Sequence, residues 1–154
     1  MIFTQLGQYA LRTLILSIAL LVLGVSAGCN EEPVRHYATV VDARNDRLFE
    51  RGWVPAVLPD AAGPLTEVHN IDTNARCAFA EFAPARLDEL LADLSREGFQ
   101  RHDVAVPSPP LKGCPFDLSD FNGASTVLSR VNASGVTEFA ALGESGTFMF
   151  MAAR

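Results

Sequence analysis

The clearest hydrophobic periodicity in the chain lies between Pro84 and Gly98. Leucines recur there at positions i, i+3, i+4 and i+7, and charged side chains fill most of the positions between them. The leucines are Leu87, Leu90, Leu91 and Leu94. This spacing predicts an amphipathic helix with a proline in its first turn and a glycine after its last. We expect all four leucines to be buried against a neighbouring hairpin.

β-compatible runs predict a hairpin before this helix and a meander after it. Segments 65–71 and 75–82 flank Asp72-Thr73-Asn74, which are turn-forming residues. Three further runs with short glycine-containing connections lie at 126–132, 136–142 and 147–152. Short turns between such runs predict antiparallel pairing. The alternation within 75–82 is poor, so the sequence leaves open which face of that strand is buried.

A second helix is predicted over residues 40–51, where Thr39 and Asp42 form an approximate capping box. Its apolar face is incomplete and consists of Val41, Leu48 and Phe49. Gly52 follows the helix and is expected to take the left-handed C′ conformation. Residues 53–59 contain two prolines, which predicts an irregular buried crossing around Trp53.

These elements predict an α+β fold, in which two helices pack a small antiparallel sheet made of the hairpin and the C-terminal meander. A short strand at 104–106 and a proline-rich loop at 107–115 precede the meander. The predicted domain covers residues 39–154. The short polar segment 29–38 before it is interpreted as a tether.

The first 28 residues differ from the rest in composition. They carry one charge, Arg12, followed by the apolar run 14–25 and then small residues. A secretory signal peptide has this layout. The apolar run is shorter than the roughly 20 residues that a membrane-spanning helix needs.

The sequence Ser26-Ala27-Gly28-Cys29 resembles the lipobox of bacterial lipoproteins, although that family usually has leucine in place of Ser26. The resemblance implies cleavage before Cys29 and a stable anchor in the lipid bilayer through its acylated thiol. Asn30 is not the aspartate of an inner-membrane retention signal, which favours the outer membrane with the domain facing the periplasm. Two alternatives are a secreted protein cleaved after Ala27 or Gly28 and an uncleaved N-terminal helix.

Charge and cysteine content narrow the classes of function. The formal net charge is −6, and it becomes −7 without residues 1–28, which contain one arginine and no other charge. Such an acidic domain lacks the basic footprint that binds nucleic acid. With Cys29 assigned to lipid, Cys77 and Cys114 form a candidate disulfide in an oxidising compartment, worth roughly 4 kcal/mol. Two buried thiols are the alternative.

The sequence contains no nucleophile elbow, phosphate loop, dinucleotide-binding glycines or zinc-ligand spacing, so we predict neither cofactor nor metal. Its three histidines, His36, His69 and His102, are scattered. A candidate binding corner consists of Glu50, Trp53, His69, Asp72 and Asn74. Surface ion pairing and turn chemistry are the simpler explanations for its polar members.

Several sequence pieces near this corner carry a family resemblance. They are Glu50-Arg51-Gly52-Trp53-Val54-Pro55, then Leu58-Pro59, then His69-Asn70-Ile71-Asp72-Thr73-Asn74. Over residues 37–100 the chain resembles small bacterial lipoproteins with a YbbD-type head domain, a family that usually has a second aspartate in place of Asn70. The resemblance implies a small envelope-exposed domain and brings no activity with it.

Two functions follow from these observations. The first is a membrane-anchored envelope lipoprotein whose non-catalytic domain binds an envelope protein or a cell-wall component. The alternative is an envelope hydrolase with an unrecognised active site. A cleft that gathers His69, Asp72 and Glu81 would favour the hydrolase, and a smooth acidic face beside an apolar patch would favour the binding domain.

Overall fold

The computed structural model describes residues 33–102, 106–107, 109 and 111–153. The predicted signal peptide, the lipobox and most of the strand at 104–106 lie outside the described residues. Within the described part, no helix is long and apolar enough to cross a membrane.

In this part of the chain, seven antiparallel strands form one sheet in the order β1-β2-β3-β7-β6-β5-β4. The strands are β1 (Val34–Tyr37), β2 (Leu65–Asn70), β3 (Ala75–Glu81), β4 (Gln100–Arg101), β5 (Thr126–Val131), β6 (Thr137–Gly143) and β7 (Thr147–Ala153). The predicted hairpin is β2–β3 and the predicted meander is β5–β6–β7. Pairing of β3 with β7 joins them into one sheet. The predicted α+β class with an antiparallel sheet is confirmed.

The edge strand β1 lies in the segment that the sequence assigns to a tether. Val34 to Tyr37 pair with Val68 to Leu65 of β2, so the folded domain begins earlier than residue 39. Only four residues form this strand, and their pairing partners come about 30 positions later in the chain. Such a strand is defined by its neighbour in the sheet and leaves little local signal.

Both faces of the sheet are covered. On the front face, helix α1 (Val40–Asn45), the segment 46–62 and helix α2 (Leu87–Arg96) pack on one apolar cluster. On the back face, Val106 and the segment 111–124, which includes helix α3 (Leu118–Asn122), pack on a second cluster. Strand β3 alternates poorly because residues on both of its sides are buried. The sequence predicted two helices on the sheet, whereas a third helix, α3, also packs on it.

On the back face, Cys77 of β3 and Cys114 of the covering loop lie in disulfide geometry, with Cα atoms 5.7 Å apart. This is the pair predicted from the sequence. A crosslink here attaches a loop with little regular structure to a central strand, and it shortens the free chain in the unfolded state.

Helix α1 has the predicted capping box but ends at Asn45, which corrects the expected range of 40–51. Arg47 adopts a left-handed φ of 60°, and the N–H groups of Arg47 and Leu48 bond back to carbonyls of the helix. This closing motif usually has glycine at the left-handed position, so an arginine there gives no stop signal in the sequence. The turn that follows ends at Gly52 with a φ of 71°, as predicted.

The apolar face predicted for this first helix is also wrong in part. Val41 is 43% exposed, whereas Val40 and Ala43 are fully buried. Leu48 is buried beyond the end of the helix and belongs to the front-face cluster.

Helix α2 follows a single 3₁₀ turn at Pro84–Arg86 and closes at Gly98 with a φ of 89°. Leu90 and Leu94 are buried, but Leu87 and Leu91 are only half-buried, so the expectation of four buried leucines is wrong. Residues four apart form ridges along a helix. The ridge of Leu90 and Leu94 faces the cluster, and the adjacent ridge lies at the margin of the contact.

This difference gives a testable prediction for two chemically identical changes on one helix. Leu94→Ala removes a fully buried side chain and should lower the free energy of unfolding by about 2–5 kcal/mol. Leu91→Ala should cost distinctly less, because part of that side chain already contacts water. Urea unfolding of both variants measures the difference. Equal losses would contradict the assignment of Leu94 to the core and Leu91 to its margin.

Two elements that flank the proline-rich loop 107–115 differ from the predictions. The short strand is β4 at Gln100–Arg101, and Val106, the described end of the predicted strand, belongs to no strand. Helix α3 was not predicted. Its signal is the capping box between Asp117 and Asp120, in a segment otherwise dominated by loop residues.

Candidate functional site

Charged side chains interrupt the apolar front face at the end of the sheet that carries the β2–β3 and β5–β6 turns. The strand register puts Arg76 of β3 beside Ala152 of β7, and Ala152 beside Glu138 of β6. Because the side chain of Ala152 is only a methyl group, Arg76 can extend over it. Its Nη2 donates to Glu138 Oε1 at 2.5 Å.

Glu138 is the centre of a buried network. Arg130 Nε donates to Glu138 Oε2 at 2.6 Å, and Asn132 Nδ2 donates to Glu138 Oε1 at 2.9 Å. Arg130 Nη1 also donates to the backbone oxygen and the carboxylate of Glu97, at 2.9 and 3.0 Å. Glu138 and Arg76 are only 3% and 4% exposed. Buried charges require such partners, and the two arginines and two glutamates neutralise one another.

A cleft of about 400 Å³ lies over this network. Its lining residues are Phe49, Arg51, Gly52, Val54, Pro55, Ala56, Asn74, Arg76, Glu97, Arg130, Asn132, Ala133, Ser134, Glu138 and Phe150. Ligand sites typically enclose about 300–1,000 Å³. Three arginines and two glutamates line the cleft, so it carries one excess positive charge on an acidic chain.

Two arginines of the cleft have unused hydrogen-bond donors. Arg76 Nε is buried and has no hydrogen-bond partner among the described residues. Arg51 is exposed, and no described carboxylate pairs with it within 4.0 Å. Its guanidinium carbon lies 4.9 Å from the centre of the Trp53 ring, which orients the side chain through a cation–π contact.

Next to the cleft, Trp53 covers a buried acid–histidine pair. Its ring stacks on His69 with centroids 3.6 Å apart, and His69 Nδ1 lies 2.9 Å from Glu67 Oε1. Burial raises the pKa of Glu67 to about 8, although Arg35 and Arg76 act in the opposite direction. Burial, together with Arg35 and Arg51, lowers the pKa of His69. Both shifts favour the uncharged form of the group concerned.

The chemistry open to this pair is restricted by its burial. Glu67 is fully buried and His69 is 4% exposed beneath the indole. A general acid or base must come within hydrogen-bond distance of its substrate. In this conformation the pair instead fixes the ring of Trp53 at the side of the cleft.

The structure brings together only part of the predicted binding corner. Trp53 and His69 are stacked, and Asn74 lines the cleft, where its Oδ1 accepts from Arg76 Nη1 at 3.1 Å. Glu50 is exposed, and its Oε2 lies 3.8 Å from Arg47 Nε. Asp72 is exposed in the β2–β3 turn, where its N–H donates to Asn70 Oδ1.

The described residues do not form the cleft of His69, Asp72 and Glu81 that would favour the hydrolase. His69 lies near the start of the β2–β3 turn and Asp72 lies within it, but Glu81 ends β3 at the far end of the strand, opposite Thr147. Its position, an odd number of residues from Arg76, also places it on the other face. The candidate site in the described part of the chain is instead an arginine-lined cleft.

Most of the residues around the cleft were not predicted from the sequence. These are Glu67, Arg76, Glu97, Arg130, Asn132 and Glu138. One signal was present, since Arg76 shares a strand face with Ala78 and Ala80, where a charge is unexpected. Its partner Glu138 lies 62 positions away and is reached only through the β3–β7–β6 register.

Of the other two histidines, His36 lies in β1 and His102 directly follows β4. His36 Nδ1 is 3.0 Å from Thr66 Oγ1, and His102 Nδ1 is 3.0 Å from Ser129 Oγ. Among the described residues, no group of three or more His, Cys, Asp or Glu side chains is placed to hold a metal ion.

Residues 31–81 match the family model of the YbbD head domain, which confirms the resemblance for this part of the chain. The matched segment contains β1 to β3, helix α1 and the crossing segment, and so includes Arg51, Trp53, Glu67, His69 and Arg76. Glu138 and Arg130, which complete the cleft, lie beyond it. No curated protein and no solved structure matches the chain.

Proposed function

We propose that this chain is a membrane-anchored envelope lipoprotein whose head domain binds an envelope partner without chemically changing it. The lipid on Cys29 is the anchor, and the outer membrane facing the periplasm is its location. The lipobox resemblance supports the anchor. The disulfide geometry of Cys77 and Cys114 supports an oxidising compartment, in which such bonds persist.

The observation that carries the binding role is the arginine-lined cleft. Apolar walls, unused arginine donors and a fixed aromatic neighbour are the features of a recognition site. The two carboxylates that line it are both held by Arg130. Carboxylates held in this way are fixed in position and have their oxygens engaged by donors, which favours binding over catalysis.

One observation favours the hydrolase alternative. Glu67 combines a raised pKa with a histidine partner, and such perturbed groups are common at active sites. Catalysis would require Trp53 to leave its stacked position and expose the pair. A hydrolytic activity of the purified chain that Glu67→Gln abolishes would establish this alternative.

Cell fractionation tests the anchor. Cys29→Ser removes the thiol that would receive the lipid, so the protein should move from the membrane fraction to the soluble envelope fraction. Ser26→Leu, which installs the residue usual in the lipobox, should leave the protein in the membrane fraction. A Cys29→Ser protein that stays membrane-bound and unprocessed would contradict lipidation and identify residues 1–28 as a membrane helix.

A further inference from the structure

We infer that the cleft binds a ligand with a single carboxylate beside a small apolar group, as presented by the free C-terminus of a short peptide. This inference rests on the proposed binding function of the cleft and specifies the chemistry that the cleft recognises. It is carried by the arrangement of charges, donors and apolar walls around the buried network.

The cleft has one excess positive charge, which a ligand with one negative charge would balance. Arg76, Arg130, Glu97 and Glu138 form a neutral set, and Arg51 adds one positive charge with no described carboxylate within 4.0 Å. A guanidinium group matches the two oxygens of a carboxylate, and such charge-assisted hydrogen bonds are about twice as strong as neutral ones. A monocarboxylate therefore completes the charge balance.

A second negative charge on the ligand would be unfavourable. The cleft has one excess positive charge, so a dianion such as a phosphate monoester would leave an excess negative charge beside Glu97 and Glu138. Repulsion between like charges is strong where water is partly excluded. The same arrangement that favours a carboxylate thus disfavours a phosphate.

The remaining lining groups fit a peptide. Phe49, Val54, Pro55 and Phe150 give apolar surface for a small side chain. Asn74 Nδ2 and the Ser134 hydroxyl line the cleft and take part in no hydrogen bond among the described residues. Arg76 Nε also lacks a partner in the described part of the chain, but this atom is buried and does not face a ligand in the cleft. The Asn74 amide and the Ser134 hydroxyl can bind the carbonyl oxygens of a peptide next to its terminal carboxylate.

The test is isothermal titration of the full chain, purified in a non-ionic detergent, with two matched probes. One probe is N-acetyl-Ala-Ala, which has a free carboxylate, and the other is its C-terminal amide, which does not. We expect the acid to bind at least tenfold more tightly than the amide. Arg51→Gln should remove this difference, whereas Arg86→Gln, which deletes an exposed arginine outside the cleft, should preserve it.

A second variant guards against indirect effects of losing the Arg51–Trp53 contact. Ser134→Trp places a large side chain at an exposed turn residue at the mouth of the cleft and should abolish binding of the acid at an unchanged melting temperature. Equal affinity for acid and amide would overturn the carboxylate assignment while leaving the cleft as a binding site. Failure of the folded chain to bind either probe would overturn the inference, as would binding of inorganic phosphate as tight as that of the acid.

Discussion

Glu138→Ala should lower the free energy of unfolding by about 3–5 kcal/mol, because it leaves buried positive charge without its partner. Arg76 loses the acceptor of its Nη2, and Arg130 loses the acceptor of its Nε. Arg76 is only 4% exposed, so most of its guanidinium group stays out of contact with water after the carboxylate is lost. Denaturant unfolding of wild type and variant gives the difference directly.

The control for this prediction is Glu89→Ala. Glu89 is also ion-paired with an arginine, Arg86, but both side chains are about half exposed. Exposed pairs typically contribute about 0–1 kcal/mol. If Glu138→Ala and Glu89→Ala cost the same, the Arg76–Glu138–Arg130 network would not be the buried framework of the cleft.

Glu67→Gln should make the protein more stable, and the gain should grow as the pH rises from 5 to 8. In the folded protein the pKa of Glu67 is raised from 4.5 to about 8. Above about pH 4.5 the unfolded chain releases the proton of Glu67, whereas the folded chain keeps it up to about pH 8. Folding stability from this group is therefore full below its ordinary pKa and is lost as the pH rises toward 8.

The size of this effect follows from the linkage relation. Each unit between the two pKa values corresponds to about 1.4 kcal/mol, so the whole window amounts to something on the order of 5 kcal/mol. Glutamine keeps the shape of Glu67 and can donate to His69 Nδ1, but it does not ionise. The lowered pKa of His69 acts in the opposite direction, since it costs stability as the pH falls. Both proteins contain His69, so their difference isolates Glu67.

Melting curves of wild type and Glu67→Gln at pH 5, 6, 7 and 8 measure this difference. Glu81→Gln is the matched control, because Glu81 is exposed at the end of β3. Its melting temperature should follow that of wild type at each pH. A constant offset between Glu67→Gln and wild type across the series would contradict the raised pKa of the buried carboxyl group.

The parts of the fold that the sequence predicted correctly are those fixed by local patterns. Strands β2 and β3 are separated by a turn whose residues bond to one another, with Asn70 Oδ1 accepting from two backbone N–H groups. The closing turns at Gly52 and Gly98 have the left-handed φ angles expected for glycine. Each of these features depends on residues within a few positions of one another.

The features that were missed depend on distant pairings or lack a local sequence signal. Strand β1 exists because β2 lies beside it. Helix α1 ends at Asn45 because Arg47 closes it with a left-handed φ, a role for which arginine gives no signal. Only two of the four leucines of helix α2 are buried, since the contact angle of a helix is set by its neighbours.

The candidate site shows the same division. Trp53 and His69 were selected from the sequence for separate reasons, and the structure stacks them. The cleft itself could not be predicted, because it needs Arg76 and Glu138 to meet across β7. That meeting depends on Ala152, a small residue with no distinctive sequence signal.

The sharpest test of the cleft as the binding surface is site-specific photo-crosslinking in intact cells that produce the full chain. A photoreactive amino acid at Ser134 lies at the mouth of the cleft, and one at Lys112 lies in the loop that covers the back face. The proposed function predicts a discrete adduct from Ser134, reduced by Arg51→Gln, and none from Lys112. Adducts of equal yield at both positions, or adducts only at Lys112, would contradict it.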